Sequence, residues 1–216
     1  MINFYDLETL PTNDESVIKD LEKTICPPGN IKKPESITIW MEENKESALA
    51  ELIANTSFDG LYGRIACIAW CSDDDKILST SAASPESEAI EMYYEYLSFS
   101  QDKHFCGHKI HSFDLPFLKH RSIILDIAPP NALWKAMNAK DWDDCIKDTL
   151  LMWSNDKWKK GSMDRLCKAL GIAGKGDFNG SMVAETWPKD PQKVIDYCID
   201  DVRRTREIYK RLTFNK

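Results

Sequence analysis

The stretch Ile2-Asn3-Phe4-Tyr5-Asp6-Leu7-Glu8-Thr9 decides the fold. Its apolar and aromatic start predicts a buried first strand, Ile2–Asp6, ended before the turn-prone Pro11-Thr12-Asn13-Asp14. Residues two apart on a strand point to one face, so Asp6 and Glu8 stand side by side at the strand's carboxyl end. Two adjacent carboxylates repel unless a cation sits between them, and hard oxygen donors suit a divalent ion. Taken alone, so short and common a motif reads first as a solvated strand end followed by a turn.

The next stretch is polar. Residues 13–58 hold the breaker Cys26-Pro27-Pro28-Gly29-Asn30 and a helical pattern over Pro34–Ala54, and are poor in apolar residues. They read as an insertion packed on the domain. Arg64–Cys71 is a continuous apolar run that predicts a central strand, and Lys76–Thr80 predicts its hairpin return. Further on come a helix opened by Glu86 and Glu88, a short strand His104–His108, and a helix Phe113–Leu125 with Ser112 as its expected cap. After these follow the segment Asp148–Trp153, a helix Met163–Leu170, a glycine-rich loop 171–181 and a terminal helix Pro191–Leu212. Strands first and alternating elements afterwards predict an α/β architecture with a mixed sheet.

Composition bounds the rest. The 216 residues suit one domain, with 43% hydrophobic and 29% charged residues as in ordinary globular chains. No run is long and apolar enough to span a bilayer, and Met1–Asp6 lacks the pattern of a secretory signal. The seven cysteines are odd in number, form no CxxC pair and sit mostly in apolar segments. They read as reduced residues of a cytoplasmic protein. Lys+Arg 28 against Asp+Glu 35 leaves a net charge of −7, so bulk electrostatics cannot hold the chain to nucleic acid. Contact with nucleic acid then needs metal ions or a local basic surface.

Two further acidic positions stand out. Asp114 opens an otherwise apolar helix in Gly107-His108-Lys109-Ile110-His111-Ser112-Phe113-Asp114. Tyr197 and Asp201, four apart, share one face of the terminal helix, and the apolar pattern turns Asp201 inward, where a carboxylate needs a partner or a metal.

The ordered set DxE at the first strand, F-D in mid-chain and YxxxD in the last helix resembles the DnaQ-like 3′–5′ exonuclease superfamily of RNase H-like fold. Asp148-Thr149-Leu150, Leu170–Asp177, Asn179–Val183 and Tyr197–Val202 are similar to the stand-alone exonucleases akin to the proofreading domain of family-B DNA polymerases. Pro27–Trp40 with Thr56–Gly60 is similar to versions carried by phages and prophages. The histidine branch keeps its base five residues before the last acid, here Asp196; Tyr197, four before, fits the tyrosine branch (DEDDy).

The resemblance implies one exonuclease domain over 1–216, with two Mg²⁺ or Mn²⁺ ions. Asp6 would be shared between them, Glu8 and Asp201 would complete one site, and Asp114 would serve the other. Tyr197 would orient the attacking water. Thr9 and Leu10 would hold the 3′-terminal nucleotide, and Phe113 would stack on a base. Lys175, between glycines that permit close approach of a backbone, is a candidate phosphate contact. The implied substrate is single-stranded DNA or a frayed duplex end in replication or repair, with RNA or a non-catalytic nucleic-acid-binding role as alternatives. Replication proteins are the implied partners, with no membrane, and the host cytoplasm is the place if the chain is phage-encoded. Lys109 stands where the family carries Asn, so it is either a solvent-facing drift or a phosphate contact.

Overall fold

The computed structural model describes residues 1–100, 103–140, 143–154, 161–174 and 176–215. Lys175 lies outside them, as do Lys157, Lys159 and Lys160. Strand β1 (Ile2–Leu10) is followed by α1 (Glu15–Lys23) and α2 (Pro34–Asn55), then β2 (Arg64–Ser72), β3 (Leu78–Ser79) and α3 (Glu86–Phe99). Next come β4 (His104–Gly107), α4 (Asp114–Ile124), α5 (Asn131–Met137), β5 (Ile146–Asp148) and α6 (Thr149–Ser154). The chain continues through α7 (Met163–Leu170) and the short α8 (Val183–Thr186) to α9 (Pro191–Leu212).

The sheet is mixed and five-stranded, in the order β3-β2-β1-β4-β5. β1 and β2 are antiparallel, β2 and β3 are antiparallel, and β4 and β5 run parallel to β1. The α/β reading of the sequence therefore holds. Helices cover both faces. Tyr5, Leu7, Ile68 and Trp70 pack with Ile90, Tyr93, Leu115 and Leu118 of α3 and α4. Phe4, Leu10, Cys67 and Cys71 pack with Val194, Ile195, Cys198 and Val202 of α9. The alternation along β1 thus assigns Asp6 and Glu8 to the α9 side.

Several boundaries differ from the sequence reading. β1 runs past Asp6 to Leu10, because β2 continues the ladder to the pair Leu10 and Arg64. The hairpin return shrinks to Leu78–Ser79. α1 forms within the polar segment on the strength of Asp14, whose side chain accepts the N–H groups of Ser16 and Val17. Neither α1 nor α2 buries a residue; they lie on each other, linked by Lys45 and Glu22 at 2.6 Å. Ser112 is not a cap: Phe113 holds that position, and the Ser112 hydroxyl donates to the Lys109 carbonyl. α5 and β5 are too short to leave a periodic signal.

Candidate active site

The carboxylates are assembled from the two ends of the chain. Asp190 accepts the Lys193 N–H, Pro191 occupies the first turn, and α9 runs 22 residues from there. Its inward stripe is Val194, Tyr197, Cys198, Asp201, Val202, Thr205 and Ile208. Apolar members seat the stripe on β1 and β2, which brings Tyr197 and Asp201 against the end of β1. Carboxylate oxygens of Asp6, Glu8 and Asp201 all lie within 4.8 Å of one another. Just beyond Glu8 the pairing skips Ala66, a bulge of the kind that re-aims side chains beside a site.

Neighbouring groups hold this trio. The Cys198 thiol lies 3.4 Å from the Asp6 carbonyl and 3.7 Å from its Oδ2. Arg204 Nη1 donates to Asp201 Oδ1 at 2.8 Å, and the same guanidinium reaches the carbonyls of Ala173 at 3.3 Å and Gly174 at 3.0 Å. The Tyr197 hydroxyl hydrogen-bonds Asp201. Burial, then the charges of Asp201, Glu8 and Asp6, push that hydroxyl far above the ordinary tyrosine range. Phe178 packs edge-on against the Tyr197 ring at 5.0 Å.

Asp114 stands outside the trio yet touches its strand. It is buried at the first turn of α4 and hydrogen-bonds the backbone of Leu7, the residue between Asp6 and Glu8. β4 stops pairing with β1 at Phe4, so this carboxylate takes up β1 backbone that the sheet leaves open. Burial, followed by the charge of Asp148, pushes the Asp114 carboxyl up to about 7, against the backbone hydrogen bonds and Lys109.

Asp148 organises the approach to Asp114. Its carboxylate accepts N–H groups from Lys109 at 3.1 Å and His111 at 3.2 Å, and from Leu150 at 2.9 Å in α6. His108 Nδ1 meets the Thr149 hydroxyl at 2.9 Å. Lys109 has φ +69°, a left-handed conformation that favours Asn over Lys, and its side chain is exposed.

The remaining sequence candidates are dispersed. The Thr9 hydroxyl donates to the Ser57 carbonyl at 2.7 Å. Leu10 is 5% exposed and packs in the core layer beneath α9. Phe113 is half-buried, with its ring 5.8 Å from Phe117. The cations of α9 are largely engaged: Arg203 pairs with Asp200, Arg206 reaches the Asp75 carbonyl, and Lys210 pairs with Asp74.

Sequence reasoning passed over Arg204, Phe178 and Cys198. Arg204 carried a usable signal, since it lies three residues after Asp201 and shares its face. Phe178 carried none, because a loop aromatic does not announce which ring it will meet.

The comparisons with known proteins bear on family and fold. Residues 61–216 match a family described as "Predicted 3′-5′ exonuclease related to the exonuclease domain of PolB". β1 precedes the matched segment. No curated protein matches the chain. Among solved structures, the family B DNA polymerase from the hyperthermophilic archaeon Pyrobaculum calidifontis is similar, with a TM-score of 0.62 at 14% identity. The similarity takes in 98% of this chain and 24% of the polymerase chain. Among the described residues no helix is long and apolar enough to cross a membrane. The family match spans well over half of the chain, and the chain belongs to this family of predicted 3′–5′ exonucleases related to the exonuclease domain of PolB.

Proposed function

We infer that the chain is a metal-dependent 3′–5′ exonuclease of the tyrosine branch, acting on the 3′ end of single-stranded DNA or a frayed duplex. The observation that carries this reading is the convergence of Asp6, Glu8 and Asp201 within 4.8 Å, with the Tyr197 hydroxyl on Asp201. Three clustered carboxylates with hard oxygen donors fit Mg²⁺ or Mn²⁺ rather than a soft metal. Asp6, Glu8 and Asp201 would hold one cation, and Asp114 with Asp6 a second. When bound, such a pair lowers the pKa of water and stabilises both the attacking and the leaving oxygen of a phosphodiester.

The chain's own groups have distinct tasks. Without bound cations, burial and then the charges of Asp201, Glu8 and Asp6 oppose ionisation of the Tyr197 hydroxyl. Tyr197 would orient the attacking water through this hydroxyl rather than act as the bulk base. Phe178 fixes the plane of its ring. Arg204 balances part of the charge on Asp201 and ties α9 to the loop at Ala173 and Gly174. Asp114 and the loop from His108 to Phe113 are placed together by Asp148.

The test is digestion of 5′-labelled single-stranded DNA and matched RNA with Mg²⁺ or Mn²⁺. A descending ladder that disappears with EDTA and with a blocked 3′ end is expected. Equal degradation of the 3′-blocked strand would refute the 3′–5′ assignment, and the RNA arm decides between the two polynucleotides.

A further inference from the structure

The segment between α2 and β2 presents Phe58, Leu61 and Tyr62 to solvent, at 71%, 53% and 42% exposure. Three large apolar side chains within five residues are a patch that needs a reason. The segment is also firmly built. Residues Thr56–Phe58 form a single 3-10 turn, whose Ser57 carbonyl accepts the Thr9 hydroxyl at 2.7 Å. The Thr12 N–H donates to the Thr56 hydroxyl at 2.8 Å. Asp59 closes the turn, accepting the Leu61 N–H on its side chain and the Gly63 N–H on its carbonyl.

The far side of the turn is pressed onto α4. A Cβ on Gly60 would come within 2.8 Å of the Phe117 carbonyl, and one on Gly63 within 2.4 Å of the Thr56 carbonyl and 2.9 Å of the Phe117 ring. Arg121, buried in an ion pair with Glu86 at 2.8 Å, also reaches the Gly60 carbonyl at 3.4 Å. The ledge is thus anchored to Thr9, next to Glu8, and to Phe117, which stacks beside Phe113. Through Thr9 it adjoins the strand that carries Asp6 and Glu8.

We propose that Phe58, Leu61 and Tyr62 form a stacking ledge for the unpaired bases upstream of the 3′-terminal nucleotide. This rests on the exonuclease reading above. Aromatic faces bind bases without regard to sequence, as a strand-trimming site requires. A ledge fixed before binding loses little conformational freedom when a base settles on it. Three side chains are too few for a stable protein interface, which buries roughly 800 Å² on each partner, but they match one or two bases. The acidic chain also gains here a contact with nucleic acid that owes nothing to net charge.

The experiment measures Kd of the full chain for a single-stranded oligodeoxynucleotide with Ca²⁺ in place of Mg²⁺. The strand is used intact and with abasic positions two to four residues from its 3′ end. Phe58→Ala and Tyr62→Ala should each weaken binding of the intact strand by about fivefold or more, and should weaken the abasic strand far less. Phe58→Trp should restore the intact-strand affinity. Equal weakening on both strands, or none on either, overturns the ledge. Sedimentation that shows a wild-type dimer broken by Phe58→Ala would assign the patch to a second copy and overturn it as well. Wild-type protein that neither binds nor trims any polynucleotide refutes the exonuclease reading itself, whereas normal trimming with unaffected variants refutes the ledge alone.

Discussion

Asp114→Asn should make the metal-free protein more stable at alkaline pH while removing a proposed ligand. The Asp114 carboxyl titrates near 7 in the folded chain, mainly because burial disfavours its charge, against 3.8 as its ordinary value. The sign follows from linkage. An acid whose folded pKa is raised holds its proton more tightly in the native state. Stability is therefore full below the unfolded value and falls as pH rises, until the folded value is passed. Each unit corresponds to about 1.4 kcal/mol, so the window from pH 5 to 7 contributes up to about 3 kcal/mol. Asn is neutral throughout and its side-chain oxygen can still accept the Leu7 N–H. The advantage of Asp114→Asn over wild type should then grow by up to about 3 kcal/mol between pH 5 and pH 8. Urea unfolding in EDTA at the two pH values measures it, because groups common to both proteins cancel in the difference. An advantage that is absent at pH 8, or equal at both pH values, would refute the argument that an uncompensated charge is buried there.

Tyr197→Phe should lower kcat by less than the roughly 10²-fold that loss of a proton-transfer group costs, since the hydroxyl orients water, and wild-type rates in single-turnover assays would remove it from the mechanism. Asp6→Asn should abolish trimming while leaving the circular dichroism spectrum unchanged, since its backbone stays in the β1–β2 ladder; residual trimming at wild-type rate would sink its role. Lys109→Gly should stabilise the protein by about 1 kcal/mol by relieving the left-handed backbone, read as the urea midpoint. Lys109→Ala should flatten the salt dependence of strand binding by roughly 0.7 in slope if the ammonium meets a phosphate, and an unchanged slope leaves Lys109 a backbone residue only. Arg204→Met should destabilise the metal-free protein by about 3 kcal/mol, because Asp201 is left buried with its guanidinium gone; added Mg²⁺ should recover much of that loss in Tm, and an equal deficit with and without metal would show the arginine to be structural alone.

The acids were legible because each breaks a strong apolar context. Asp6 follows a buried strand, Asp114 opens an apolar helix, and Asp201 lies within the inward stripe of α9. The element order was legible for the same reason, since long periodic runs such as Arg64–Cys71 and Pro191–Leu212 leave little choice. α1 was missed because its stability comes from one capping aspartate rather than from a buried face. α5 and β5 were missed because seven and three residues carry too little periodicity. The role of Asp148 could not be read at all: its four backbone partners come from Lys109 and His111, far off in sequence, and from its neighbours Leu150 and Leu151.

The Cys198 thiol meets Asp6 across 192 positions of chain. Contacts so distant in sequence form late, after the entropy of closing the intervening loop has been met. Asp6, Glu8 and Asp114 all precede α9 in the chain, and Asp201 joins Asp6 and Glu8 only where α9 lies against β1. A growing polypeptide therefore carries an incomplete ligand set and no aligned tyrosine. If the chain trims strands as proposed, docking of α9 on β1 is the step that completes its carboxylate cluster.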